Sequence, residues 1–231
     1  MDIVIYIYQG LTMLDAIGPY EVFRNIPDAK VKFVAKKRSE IAADSKAIFI
    51  NAKYSIDQVK KADVLIIPGA TIGFVREMHD KKVLEWIRQI DKTTQRTLSV
   101  CTGSMILAAA GLLKGRKATS HWKPLDMLKD HGAIPVKERF VEDGKYVTAA
   151  GVSAGIDMGL YVSSQLAGED FAKAAQLAIE YDPAPPFDAG SPEKCDGAII
   201  KKAVKKMTED GMKDLGPMDL MKYGGTLMKL T

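Results

Sequence analysis

Four stretches of this chain are apolar at nearly every position: residues 2–8 (DIVIYIY), 31–35 (VKFVA), 63–67 (DVLII) and 97–100 (TLSV). Short runs of this kind, rich in Val and Ile, predict strands buried on both faces, as in a parallel sheet covered by helices. Between them the period changes. Val83, Leu84, Ile87 and Ile90 within 81–92 recur at helical spacing, which predicts a surface helix leading back into the strand at 97–100. Gly18-Pro19 follows the first strand, and Pro in a first helical turn predicts a helix carrying Tyr20, Val22 and Phe23. Asp15 then lies on the connection just outside a strand end. Residues 48–51 read as a short extended piece facing the second strand, and 55–61 as a helical turn capped by Ser55. Further on, a strand is read at 117–120 and a helix at 124–129. Two more strands, 134–141 and 146–149, flank an Asp143-Gly144 hairpin turn. GVSAG at 151–155 opens a long helix over 156–166, and 169–181 is another. Strands alternating with helices predict an α/β fold with a mostly parallel central sheet and helices on both faces.

The pattern weakens towards the C-terminus. Residues 182–192 (DPAPPFDAGSP) are too Pro-rich to be regular. Ile199, Ile200, Val204 and Met207 form one helical stripe beside Lys201, Lys202, Lys205 and Lys206, read as a packed helix with a solvated lysine face. Residues 211–231 carry no assignable pattern. Composition alters this picture little. The chain has 231 residues, 47% hydrophobic and 27% charged, with a net charge of +4; this suits one globular α/β domain and implies neither a nucleic-acid nor a membrane partner. Two cysteines make no disulfide framework. The three histidines (His79, His121, His131) lack paired ligand spacing, so no metal site is expected. With no leader pattern and no long apolar run, the expected location is cytoplasmic.

The candidate chemistry centres on residues 96–111, RTLSVCTGSMILAAAG. Cys101 stands at a strand-to-helix turn relieved by Gly103, where a nucleophile projects from the sheet and the following helix amides point at developing charge. Those amides are expected to lower the thiol pKa. The Thr102 amide is one candidate oxyanion donor. The Pro68-Gly69-Ala70 turn, at another strand end, either supplies a second or is an ordinary turn. Asp15 meets Cys101 if both lie outside the carboxyl ends of neighbouring strands. His121 is either a base partner for Cys101 or a structural histidine. Cys195, between Lys194 and Asp196, has no such context.

The segments LDAIGPYEVF, ADVLIIPGA, SVCTGSMILAAAGLLKGRKATSHW, AAGVSAGIDMGL and AIEYDPAPPFDAGSPE together resemble the PfpI/ThiJ superfamily over residues 2–195, and within it the isocyanide-hydrating members. The resemblance implies a flavodoxin-like sandwich and a homodimer. It further implies a cofactor-free reaction on a small-molecule isocyanide, with Cys101 as nucleophile and Asp15 as its acidic partner. A pocket formed by Thr102, Gly69, Ala70, His121 and Val152 goes with it. Relatives with other activities carry His after the cysteine and Glu near the first strand end; here Thr102 and Asp15 stand there, which agrees with a hydratase. The usual Pro-Gly-Gly turn is Pro68-Gly69-Ala70. Residues 1–195 are thus expected to form the catalytic domain, and 196–231 a helical extension packed on it or on a dimer partner. A non-enzymatic redox-sensing or chaperone-like protein using an oxidisable Cys101 is the alternative. Similar domains also occur fused to helix-turn-helix regulators, but the residues after Pro192 show one helix where that module requires several.

Overall fold

The computed structural model describes residues 1–230; the expected extension reaches Thr231, which lies outside the described residues. Strand β1 (Asp2–Tyr6) leads into helix α1 (Met13–Phe23) and strand β2 (Lys30–Ala35). Short strands β3 (Glu40–Ala42), β4 (Phe49–Asn51) and β5 (Tyr54–Ser55) precede β6 (Val64–Ile67), helices α2 (Phe74–Met78) and α3 (Lys81–Asp91), β7 (Arg96–Val100) and α4 (Gly103–Ala109). Then come β8 (Lys117–Ala118), a 3-10 stretch (Leu125–His131), β9 (Ile134–Pro135), β10 (Phe140–Asp143), β11 (Tyr146–Ala149), α5 (Ala154–Ala167) and α6 (Glu169–Ala178). Beyond residue 192 there are two helices, α7 (Gly197–Asp214) and α8 (Pro217–Met228), not the one expected.

The main sheet has seven strands in the order β10-β11-β7-β6-β1-β2-β5, all parallel except β10, which pairs antiparallel with β11. The apolar runs at β1, β6 and β7 occupy its centre, where residues 64–67 are buried throughout. Helix α3 behaves as its pattern requires. Asp80 caps it by accepting from the Lys82 and Val83 amides (3.1 and 3.3 Å), and Val83, Leu84, Trp86, Ile87 and Ile90 face the core. Helix α5 crosses close to α1 because a Cβ at Gly155 would already sit 3.3 Å from Pro19 Cγ and 3.0 Å from Val100 Cγ2.

Several local expectations fail for physical reasons. Helix α1 starts at Met13, so Pro19 lies inside it and Asp15 lies in its first turn, not on a connection. Only the single bond from residue 19 to the Asp15 carbonyl is given up. Residues 49–51 pair with β3, not β2. Ser55 joins the sheet edge against Ala35, and its amide goes to Gln58 Oε1 (3.0 Å), so the chain makes one turn there and no helix. The hairpin forms at β10-β11. However, Ile134–Pro135 belongs to a separate two-stranded ladder with Lys117–Ala118, the only part of 117–120 that is a strand.

Candidate active site

Three neighbouring strands deliver the site. β1, β6 and β7 lie side by side, and their carboxyl ends lead to Asp15, to the turn 68–70 and to Cys101. Cys101 has φ of +58°, a left-handed conformation that a non-glycine residue holds only when its surroundings impose it. Those surroundings are hydrogen bonds. The Cys101 amide donates to the Ala149 and Ala150 carbonyls (3.0 and 2.8 Å), while its carbonyl accepts from Ser104 Oγ and Ser120 Oγ (3.2 and 3.1 Å). Gly103 is required by packing: a Cβ there would fall 2.0 Å from the Ile67 carbonyl oxygen.

Asp15 is fully buried. Its Oδ2 accepts from the Gly69 amide at 2.9 Å, and its Oδ1 has no hydrogen-bond partner. Burial pushes its pKa from 3.8 up to about 7, while the Gly69 amide and the Cys101 thiol act to lower it and Asp44 adds to the rise. The Cys101 thiol moves upward too, first by burial and then by the Asp15 charge, against the Thr102 amide and hydroxyl, which favour thiolate. The expected depression of the thiol pKa by helix amides is therefore overturned: loss of water outweighs them. What results is a pair of buried acids, both of whose pKa values are raised.

Both amides of the turn at 69–70 are engaged within the protein. The Gly69 amide is taken by Asp15, and the Ala70 amide donates to Thr102 Oγ1 (2.9 Å), which in turn donates to the Ala70 carbonyl (2.8 Å). Thr102 thus locks the turn to the Cys101 elbow. Ala70 supplies both backbone groups of this pair, and its methyl is buried beside the cavity. Gly69 is the irreplaceable member: a Cβ would stand 2.5 Å from Thr102 N and 2.9 Å from Asp15 Oδ2.

His121 and Val152 line the same cavity as Cys101, Thr102 and Ala70. His121 is neutral at physiological pH, since burial and then Lys123 push its pKa down to about 4. Its Nδ1 accepts from the Lys123 amide (3.4 Å) and its ring lies against Trp122, with centroids 5.4 Å apart. Among the described residues no hydrogen bond joins it to Cys101. Cys195 is far less buried, with its Sγ on the Ala189 carbonyl (3.5 Å). No cluster of metal-ligating side chains occurs among the described residues.

The cavity, about 570 Å³, includes residues beyond those the sequence assigned to the pocket. Asp44 accepts from the Thr12 and Thr71 hydroxyls (2.8 and 3.0 Å) along one wall. The roof is made by α7 and α8, through Met207, Gly211, Met212, Leu220, Gly224 and Leu227. Residues 207 and 211, and then 220, 224 and 227, do follow helical spacing. The glycines in those stripes concealed them.

A DJ-1/PfpI family profile matches residues 1–165. The chain is 39% identical over 200 residues to an isonitrile hydratase of Pseudomonas putida, covering 87% of each protein. It superposes on the crystal structure of a ThiJ/PfpI family protein from Pseudomonas syringae with a TM-score of 0.85 and 36% identity, covering 91% of this chain and 88% of that one. Schizosaccharomyces pombe DJ-1 shares the fold at a TM-score of 0.69 and 17% identity, over 79% of this chain and 100% of that one.

Proposed function

The chain belongs to the DJ-1/PfpI family, and from that premise we propose that it is a cysteine-dependent isocyanide hydratase, converting an isocyanide to an N-formyl amine. One observation carries the reading. A buried thiol and a buried carboxyl group, whose pKa burial raises to about 7, lie together at the strand ends beneath a largely apolar cavity. An isocyanide carbon accepts a nucleophile and then a proton, so its hydration needs both groups at one atom.

In the proposed sequence the Cys101 proton passes to Asp15 as sulfur attacks the terminal carbon, and protonated Asp15 delivers that proton to the same carbon. The product of this step is a thioimidate, with Asp15 again a carboxylate. Asp15 next takes a proton from water as the water oxygen adds to the thioimidate carbon, and passes that proton to the imine nitrogen, becoming a carboxylate again. Cleavage of the C–S bond forms the formyl C=O, and the hydroxyl proton returns to sulfur through Asp15. Thiol, carboxylate and N-formyl amine result, with one water consumed. A carboxyl group with a pKa near the working pH serves both as acid and as base. The unpartnered Oδ1 is the oxygen available for the transfers. Apart from the attacking water, the nucleophile and the proton carrier are the side chains of Cys101 and Asp15, and no step calls on an oxyanion donor from the turn at 68–70. The 39% identity to a protein named isonitrile hydratase supports this reading.

Purified protein incubated with a simple alkyl isocyanide should accumulate the corresponding N-formyl amine, followed by proton NMR. The Cys101→Ala variant should form none. Absence of product from the wild-type protein, or equal product from Cys101→Ala, overturns the proposal.

A further inference from the structure

We propose that a second cleft, walled on one side by α8, binds a small anion carrying two or more phosphoryl groups, and that the bound anion holds the roof on the catalytic body. This goes beyond the hydratase reading and does not depend on it. The cleft, about 620 Å³, lies outside the carboxyl ends of β1 and β2, on the side of the sheet where open α/β folds take ligands. Buried Tyr6, Tyr8, Ala35 and Ile41 form its floor, and Lys36, Lys37, Arg76, Lys81, Lys82 and Lys222 surround it.

These six cations face two acids, Glu77 and Asp80, so the cleft is positive unless the excess is paired elsewhere. Part of it is. Lys36 pairs with Asp80, whose carboxylate also caps α3, and Lys82 reaches out to Asp57 (3.0 Å). Arg76 on α2 grips both roof helices, through Asp214 Oδ2 at the end of α7 (3.0 Å) and Asp219 Oδ2 at the start of α8 (2.9 Å). Glu77 accepts from the Tyr6 hydroxyl (2.6 Å), and burial pushes its pKa up to about 7, so near neutral pH it opposes an incoming anion only in part. Lys37, Lys81 and Lys222 are left without an ion pair among the described residues. They come from three elements: just past β2, the start of α3 and the middle of α8. Lysines gathered in one cleft raise the local concentration of anions and donate to phosphoryl oxygens. A phosphate monoester carries only about −1.5 to −2 near neutral pH, short of three lysines, whereas two linked phosphoryl groups match them. His79 and Tyr223 stack at the α8 wall, with centroids 5.1 Å apart, and offer an aromatic face to any ring that the anion carries.

The coupling to the roof follows from α8. This helix gives Lys222 and Tyr223 to the cleft and Leu220, Gly224 and Leu227 to the chamber above Cys101. An anion that bridges Lys222 to Lys37 and Lys81 makes its full set of contacts only while α8 is docked, and it favours the docked roof by that difference in affinity.

Equilibrium dialysis of the protein against pyrophosphate and against ADP, in magnesium-free buffer at about 150 mM salt, tests the site. At least one should bind saturably, one per chain, with a Kd below about 1 mM. The triple variant Lys37→Gln/Lys81→Gln/Lys222→Gln, which alters only exposed side chains, should bind at least tenfold more weakly. A control, Lys201→Gln/Lys202→Gln/Lys205→Gln, removes the same charge from α7 and should bind as wild type does. Tighter binding of ADP supports a nucleotide lying against the aromatic wall, and binding of pyrophosphate as tight or tighter supports a free polyphosphate. No saturable binding of either, or equal loss in the two triple variants, overturns the site. Amide hydrogen exchange reads the coupling: saturating anion should slow exchange in α8 of the wild type and leave the Lys37/Lys81/Lys222 variant unchanged. Binding that leaves α8 exchange unaltered in the wild type overturns the coupling.

Discussion

Asp15→Asn should remove turnover and at the same time stabilise the protein above neutral pH. In the folded chain burial holds the Asp15 pKa at about 7, whereas in the unfolded chain it returns to about 3.8. Between these two pH values the native state keeps a proton that the unfolded state has lost. Stability therefore falls as pH rises across that window, and the loss is complete above it. The window spans a little over three pH units, and at about 1.36 kcal/mol per unit the buried carboxylate costs roughly 4 kcal/mol by pH 8. Asparagine does not ionise. Its carbonyl oxygen can keep the bond from the Gly69 amide, now 2.9 Å, but its NH2 group is buried where Oδ1 has no partner, a cost of about 1–3 kcal/mol. The variant should thus exceed wild type by about 1–3 kcal/mol at pH 8 and match it or fall below it at pH 4. Urea unfolding of both proteins at pH 4, 6 and 8 measures this. Subtracting one from the other cancels groups common to both, including Glu77, whose pKa burial also pushes up to about 7. A stability difference that does not change with pH, or that grows towards acid, refutes the burial argument. Turnover should drop by at least about a hundredfold, the low end for a general acid–base group; near-wild-type activity would place the acid elsewhere.

The raised thiol pKa and the 5% exposure of Cys101 mean that limiting iodoacetamide at neutral pH should label the more accessible Cys195 first; peptide mapping that finds Cys101 labelled first would show an activated resting thiolate. Gly103→Ala should destabilise the protein by about 3 kcal/mol or more, or prevent soluble expression, since its Cβ would overlap the Ile67 carbonyl at 2.0 Å; an unchanged melting temperature would contradict the close approach. Arg76→Ala should speed amide hydrogen exchange in α7 and α8 while leaving β6 and β7 protected, and uniform protection in all four would show that the roof does not depend on this clamp. Light scattering at micromolar concentration should give the mass of a dimer, the assembly implied by the family; a monomer would break that implication.

The sequence by itself determined the central sheet and singled out the candidate nucleophile. Runs such as VLII at 64–67 are apolar at every position because both faces of a parallel sheet are covered, and that signal is local. Cys101 was legible for a similar reason: the strand before it, Gly103 two residues on and the helix beyond lie in one stretch of chain. Pro19 misled the placement of Asp15, since a proline inside a helix and one at its start look alike until packing shows which occurs. Tertiary structure alone decided the electrostatics. Three strand ends that are well separated in sequence bury Asp15 with Cys101, and burial then outweighs the helix amides that local reasoning favoured. The turn at 68–70 likewise loses its free donors only because Asp15 and Thr102 arrive from elsewhere in the chain to take them. The roof was the least legible part, because its stripes pass through Gly211 and Gly224, residues that read as helix breakers along the chain.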